Sequence, residues 1–391
     1  MAAKGAASRL DLFASCAPGL ESLLAEELRG LGLPPREIEP GGVAFTGGLD
    51  AVCRANLWLR TAGRVIVRIA TFRARAFGEL ERRARAVDWD RVLPPGRAIR
   101  LRVTSHKSRL YHTAGIAQRL ASAIEAGVPG AIIAASPPNE EEAPRAATDG
   151  DPLLVVRVMH DICTVSIDSS GALLHRRGYR LETAKAPMRE TLAAAMVLGG
   201  GWDARTPLLD PMCGAGTIPI EAALIARRIP PGAHRRFAFL DWPDFPGPIW
   251  SRALDQARDA VLPAAPCSIH GSDRDAGAIA AATANAARAG VGADIAFAQR
   301  ALSAVIPPPN AGWVITNPPY GVRVGDRRLL RDLYAQLGHV LRSRCPGWTL
   351  VLMFADARLA RHTALDLRPV LSTVNGGIRV TVGRAQLPLQ R

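Results

Sequence analysis

The chain is predicted to be an α/β protein whose second half forms a mostly parallel sheet, preceded by two smaller α+β units. Three observations predict this. From about Thr206 onward, short apolar strands alternate with helical patterns, as in a sheet covered by helices on both faces. Before Asp168, strand and helix patterns instead follow the order of compact α+β units. At 391 residues, the chain also exceeds the size at which one hydrophobic core stops growing.

The first unit spans residues 9–70. LDLFAS reads as a strand, GLESLLAEELRGLG as a helix, GGVAFTG as a strand and LDAVCRANLWL as a second helix. RVIVRIATF follows as a strand by its alternating apolar positions. The second unit, residues 71–168, contains the strand RAIRLRVTSH, a loop from Lys107 to His112, and a helix from Thr113 to Ala126 closed by Gly127. Ser136 to Gly150 combines Pro, Gly and acids with almost nothing apolar, and reads as a surface insertion without chemistry. LLVVRVMHDICTVSID then completes the unit as two strands joined by a tight turn at His160 and Asp161.

The last unit, residues 169–391, carries the βα alternation. PLLD, CSIHGSD, DIAFAQ and WVIT read as strands, with helices from Ile218 to Arg228 and from Asp275 to Ala289, the latter stopped by Gly290. A helix around Leu329 to Arg342, the strand WTLVLMF and a terminal strand pair from Gly377 to Leu387 follow. Ligands of such sheets bind at the carboxyl ends of the strands.

No stretch approaches the roughly 18 uninterrupted apolar residues of a membrane span. The N-terminus MAAKGAASRL has no apolar segment before a cleavage site, so a cytoplasmic protein is expected. Cys16, Cys53, Cys163, Cys213, Cys267 and Cys345 form no CxxC pair, which speaks against a metal site or a disulfide framework. The formal charge of +14 favours an acidic polymer as partner. Only Lys4, Lys107 and Lys185 are lysines, so an arginine-rich composition accounts for part of the excess. Between Arg54 and Arg119, however, 16 basic residues face four acids, a concentration that suggests a phosphate-backbone footprint.

DPMCGAGTIPIEAA places Asp210 at a strand end, then Gly214, Gly216 and Thr217 before a helix with Pro219 in its first turn. Glycines here let the main chain approach a ligand closely. Pro219 breaks the dinucleotide fingerprint, and the Gly-Lys-Ser/Thr of a phosphate loop is absent. An acid in that place suits a ligand with a positive end, such as the amino group of a methionine moiety. Asp273, at the end of the next strand, stands where a carboxylate can bind ribose hydroxyls, whereas Asp275 reads as a helix N-cap.

WVITNPPYGVRVGD places Asn317, Pro318, Pro319 and Tyr320 directly after the fourth strand. An exocyclic base amine is a poor nucleophile because its lone pair is delocalised, and it improves when both N–H bonds find acceptors. Asn317 Oδ1 and the Pro318 carbonyl can supply them, and neither proline adds a competing N–H. Tyr320 offers a flat face for a base drawn out of its stack. As bare residues, Asn-Pro-Pro is also an ordinary rigid turn.

Together DPMCGAGTIPIEAA, GSDRDAGAIAAATANAARAG and NPPYGVRVGD resemble the bacterial RNA guanine-N2 methyltransferases that carry a THUMP domain, nearest to the large-subunit ribosomal RNA enzymes. The resemblance extends through SHKSRLYHTAGIAQRL, LLHRRGYRLETAKAPMRETLAAAM, FAFLDWPDFPGPIW and VNGGIRVTVGRAQ, and so covers nearly the whole chain. It implies a Rossmann-like class I methyltransferase domain preceded by ferredoxin-like and THUMP units. It implies S-adenosylmethionine as cofactor, held by Asp210, Gly214, Gly216, Thr217 and Asp273, with Pro187, Met188 and Thr191 from the preceding segment. Asn317 would touch both cofactor and base, and Asn317 to Tyr320 would hold the base. The N-terminal units would grip structured RNA, with Lys107 and Arg109 on phosphates. Two features depart from the relatives. Ala301 stands where they carry an Asp that binds the adenine amine, and no second fused methyltransferase follows.

NPPY also resembles the motif of DNA adenine-N6 and protein glutamine methyltransferases. The basic upstream units favour RNA, ribosomal ahead of transfer RNA. A non-catalytic RNA-binding assembly factor is the reading that Ala301 would favour.

Overall fold

The computed structural model describes residues 9–135, 151–181, 188–320 and 327–389. Its N-terminal half is built on β1 (Leu10–Cys16), α1 (Glu21–Gly30), β2 (Pro35–Glu39), β3 (Gly42–Gly47), α2 (Leu49–Trp58) and β4 (Ala62–Arg73). There follow α3 (Phe77–Ala84), β5 (Ala98–His106), α4 (Thr113–Gly127), β6 (Ile132–Ala135), β7 (Leu153–Met159) and β8 (Ile162–Asp168). All eight strands share one sheet in the order β2-β3-β1-β4-β8-β7-β5-β6. Residue 70 lies within β4, which pairs with β1 on one side and β8 on the other, so the two units predicted from sequence are continuous through this strand. The turn at His160 and Asp161 has positive φ at both positions, as a two-residue hairpin requires.

The C-terminal half comprises α5 (Glu190–Gly200), β9 (Leu208–Asp210), α6 (Thr217–Ala226), α7 (Gly247–Ala260), β10 (Ile269–Asp273), α8 (Ala276–Arg288) and β11 (Ile295–Gln299). It ends with β12 (Trp313–Thr316), α9 (Arg327–Arg344), β13 (Thr349–Phe354), α10 (Ala357–Arg361), β14 (Arg368–Asn375) and β15 (Ile378–Gln386). The sheet order is β11-β10-β9-β12-β13-β15-β14, with β15 alone running against the others and so antiparallel to both of its neighbours. This is the Rossmann-like α/β fold, with a ferredoxin-like arrangement of β1 to β4 ahead of it.

One expectation needs correction. The terminal pair does not begin at Gly377: its first strand, β14, starts at Arg368. Half of β14 is exposed at the sheet edge, its first three residues in a row, so no alternating apolar face marks it. Several elements were also unmarked by periodicity. Helix α5, ETLAAAMVLGG, is buried over most of its surface and shows no polar face, and β2 is an exposed edge strand. The predicted insertion at 136–150 lies outside the described residues.

The halves join through an aromatic plug and a buried polar seam. Phe237 and Phe239, which follow α6, are buried in the same core as Ala55, Leu59 and Val65 of the N-terminal half. Their rings stack 5.4 Å apart, and Trp250 of α7 meets both edge-on at 5.4 and 5.5 Å. In the seam, Arg60 donates to the carbonyls of Leu224 and Ile229 at 3.3 and 2.7 Å. Arg177 donates to the Arg60 carbonyl at 2.5 Å and lies 3.6 Å from Glu221, which also accepts the Tyr179 hydroxyl at 3.0 Å. Glu221 is fully buried, so its removal strands the Arg177 charge. The Glu221→Ala variant is expected to lose about 3 to 5 kcal/mol of stability, read as the shift in a urea unfolding midpoint.

Candidate active site

Strand order reverses at β9, which has β10 on one side and β12 on the other. The crevice outside the carboxyl ends of such a pair is where open α/β sheets take their ligands. The site residues predicted after β9, β10 and β12 all leave the sheet at this edge.

Asp210 closes β9 and is 1% exposed. Its Oδ1 accepts the Met212 N–H at 3.1 Å and the Thr316 hydroxyl at 2.7 Å. Burial pushes its carboxyl from 3.8 up to about 7; the hydrogen bonds from Thr316 and Met212 oppose the shift, and the charge of Asp273 adds to it. At the end of β10, Asp273 Oδ2 accepts the Gly214 N–H at 3.0 Å, and its Oδ1 accepts the Asp275 N–H at 3.0 Å. Asp275 is the N-cap of α8, taking the N–H groups of Gly277 and Ala278 at 2.7 and 3.2 Å.

The loop between β9 and α6 turns on Gly214 and Gly216, with φ of +52° and +81°. A Cβ at Gly214 would meet nothing within 4 Å, so this backbone faces open space. A Cβ at Gly216 would come within 2.9 Å of Ala282, so here the glycine lets α8 pack against the loop. Thr217, buried, begins α6. Asn285 of α8 fixes the loop from behind, donating to the Ala215 carbonyl at 3.1 Å.

After β12, the half-buried Asn317 has its Oδ1 out of solvent with no hydrogen-bond partner among the described residues. Such an atom is costly unless a ligand supplies the missing donor. Pro318 is buried and Pro319 exposed. The Tyr320 hydroxyl donates to Met353 Sδ at 3.5 Å and accepts from Asn375 Nδ2 at 2.7 Å, so the ring is anchored at its polar end. Burial pushes its phenol upward, and the Asn375 hydrogen bond opposes the shift.

Asp210, Gly214, Gly216, Thr217, Asp273, Asn317, Pro318, Pro319 and Tyr320 therefore share one sheet edge. Met188 is buried in the core with Leu208 and Ile315, its carbonyl accepting from Arg180, and Thr191 is half-buried in the first turn of α5. Pro187 and the motif's tail at 321–326 lie outside the described residues. Ala301 is exposed just beyond β11 and caps the short turn Leu302–Ala304 without a side-chain hydrogen bond. Thr316, Asn285 and Asn375 were not singled out from sequence. Thr316 carried one available signal, a lone polar side chain closing a buried strand directly before Asn317.

Lys107 and Arg109 belong to the other sheet, exposed in the loop after β5. The Arg109 N–H donates to Asp161 Oδ1 at 2.8 Å, tying this loop to the β7–β8 turn, and Tyr111 beside them is 81% exposed. The basic run from Arg54 to Arg119 is less of a surface than its count suggests. Arg60, Arg64 and Arg100 are buried, and Arg68, Arg75, Arg85, Arg97 and Arg119 pair with acids. Arg73, Arg82, Arg83, Arg91, Lys107 and Arg109 remain exposed. Among the described residues, no group of three His, Cys, Asp or Glu side chains is placed to hold a metal, and no helix is long and apolar enough to cross a membrane.

Residues 177–376 match the family described as "RMKL-like, methyltransferase domain", and residues 11–66 match "RlmL ferredoxin-like domain". The candidate RNA methyltransferase slr0064 of Synechocystis sp. is 33% identical over 379 residues, covering 96% of each chain. The ribosomal RNA large subunit methyltransferase K/L of Syntrophotalea carbinolica is 35% identical over 395 residues; the match covers 98% of this chain but 54% of that relative, about half its length. Among solved structures, SMU.472, a candidate methyltransferase complexed with SAH, superposes with a TM-score of 0.85 at 30% identity, covering 98% of this chain and 99% of that one. Sequence, sheet order and site architecture agree that the chain belongs to the RMKL-like methyltransferase family.

Proposed function

We propose that the chain methylates the exocyclic N2 of a guanine in structured RNA, with large-subunit ribosomal RNA as the preferred substrate. S-adenosylmethionine is the methyl donor. The observation that carries the base-amine reading is Asn317 Oδ1, buried after β12 without a partner among the described residues. The residues of the site suit the cofactor: open backbone at Gly214, and two carboxylates at adjacent strand ends for its amino group and ribose. When bound, it supplies an electrophilic methyl group on a positively charged sulfur.

Asn317 Oδ1 and the Pro318 carbonyl each accept one N–H of the target amine. They orient its nitrogen and return electron density to it as the ring amine begins to form a bond. Both acceptors are neutral, so they hold the amine without removing its proton prematurely; the proton leaves to solvent once the nitrogen carries the methyl group. Because this help is needed most in the transition state, it acts on kcat more than on substrate binding.

Residues 71–168 are proposed as a THUMP-type RNA grip, following the ferredoxin-like unit at 9–70. Lys107, Arg109 and the exposed arginines near them supply its phosphate contacts. The half-length match to a ribosomal RNA enzyme and the names of the full-length relatives support RNA as substrate and cytoplasmic action. Transfer RNA is the alternative RNA. A non-catalytic assembly factor is favoured only by the apolar, exposed Ala301.

With labelled S-adenosylmethionine, unmodified large-subunit ribosomal RNA is expected to yield N2-methylguanosine by nucleoside mass spectrometry, and transfer RNA none. Asn317→Ala should lower kcat by about 100-fold or more, the scale of losing one preorganised transition-state hydrogen bond, while RNA affinity stays within about twofold. Product in transfer RNA alone would move the substrate, and near-normal turnover of the variant would remove Asn317 from the chemistry.

Asp210 gives the site a pH dependence. The folded carboxyl keeps its proton up to about pH 7, whereas the unfolded one releases it near 3.8, so the free protein loses stability as pH rises through this window. Binding a cationic amino group requires the carboxylate and must expel that proton below pH 7. Cofactor affinity is expected to rise with pH and level off above about 7. Calorimetry at pH 6 in buffers of different ionisation enthalpy should detect proton release, and Asp210→Asn should abolish it.

Replacing Lys107 and Arg109 together by Ala should weaken RNA binding and reduce the slope of log affinity against log salt by about one to two. An unchanged slope would place the phosphate contacts elsewhere.

A further inference from the structure

We propose that Asn375 is a positioning residue for the catalytic loop, holding Tyr320, and with it the Asn317–Pro318 acceptor pair, in register with the sheet edge. The inference rests on the reading of Asn317 as the amine acceptor. Asn375 is the last residue of β14 and faces Ile378 of β15 across a two-residue turn. Gly376 and Gly377 occupy that turn with φ of +56° and +82° and meet its whole demand for left-handed backbone. The turn therefore makes no use of the Asn375 carboxamide. Instead its Nδ2 reaches across 55 residues of chain and donates to the Tyr320 hydroxyl at 2.7 Å.

The other side of that hydroxyl is also occupied, since it donates to Met353 Sδ at 3.5 Å. Met353 is fully buried in β13, so the phenol is clamped between a rigid strand and the hairpin end. Tyr320 is three residues from Asn317, with two prolines between them whose φ angles are fixed. A clamp on the tyrosine thus restricts residues 317–320, including Asn317 Oδ1, which has no partner among the described residues.

The hairpin is itself held from outside. A Cβ placed on Gly19, in the loop before α1, would fall 1.8 Å from the Ser372 carbonyl of β14. One placed on Gly199 of α5 would fall 2.7 Å from Leu371 and 3.5 Å from Leu23 of α1. Strand β14 therefore lies in contact with the N-terminal half, and Asn375 is the point at which its position is passed to the catalytic loop.

The test compares Asn375→Ala, Tyr320→Phe and the double variant by single-turnover methyl transfer to RNA, with cofactor affinity from calorimetry. Each single variant is expected to reduce the transfer rate about tenfold, the scale of one buried hydrogen bond, with RNA and cofactor affinity within about twofold of the parent. The double variant should be no slower than the slower single one, because both changes remove the same bond. Multiplying effects, an unchanged rate, or a loss confined to cofactor affinity would each overturn the proposal. Tyr320→Phe carries the test alone if Asn375→Ala fails to fold, since it deletes the same bond from the other side. A normal rate in Asn317→Ala beside a slow Asn375→Ala would instead fault the acceptor reading.

Discussion

The hydrogen bond from the Thr316 hydroxyl to Asp210 spans the point at which the catalytic sheet reverses its strand order. It joins the last residue of β9 to the last residue of β12, and so sets the loop of Gly214 and Gly216 against the loop that begins at Asn317. The bond sits where water is excluded, and a buried carboxylate left without it would be costly. Asp273 repeats the arrangement on the far side by accepting the Gly214 N–H. The spacing of the loops after β9, β10 and β12 is thus tied by side chains at the strand ends.

Between the halves, the same economy of partners is found in the seam of Arg60, Arg177, Tyr179 and Glu221. Buried ion pairs add little net stability compared with apolar packing, because desolvation offsets most of their attraction. Their geometry is directional, however, whereas apolar contact is not. In this seam, two arginines use main-chain carbonyls as acceptors, which fixes the angle at which the N-terminal sheet meets α6. The aromatic plug supplies the adhesion and the polar seam supplies the orientation.

Much of this was legible from sequence because the relevant residues act through backbone geometry. Gly214, Gly216 and Pro219 announce a loop and a helix start by what they permit and forbid, and Asp275 behaves as the N-cap its position suggests. Elements without an amphipathic face stayed hidden: α5 is buried nearly all round, and β14 opens on a run of three exposed residues. Long-range polar contacts were equally invisible. Asn375 in VNGG reads as a turn residue until its partner 55 positions away is known. Charge counting overestimated the basic surface because it cannot tell Arg64, buried against Asp168, from an exposed Lys107.

The plug formed by Phe237, Phe239 and Trp250 bears on how far the chain can be taken apart. These rings belong to the catalytic half in sequence but to the N-terminal half in packing. A fragment starting at residue 169 would present them to water as one contiguous apolar patch, the kind of surface that drives self-association. The methyltransferase half is therefore not expected to behave as a detachable module, and a different N-terminal half would have to bring a matching socket along with it.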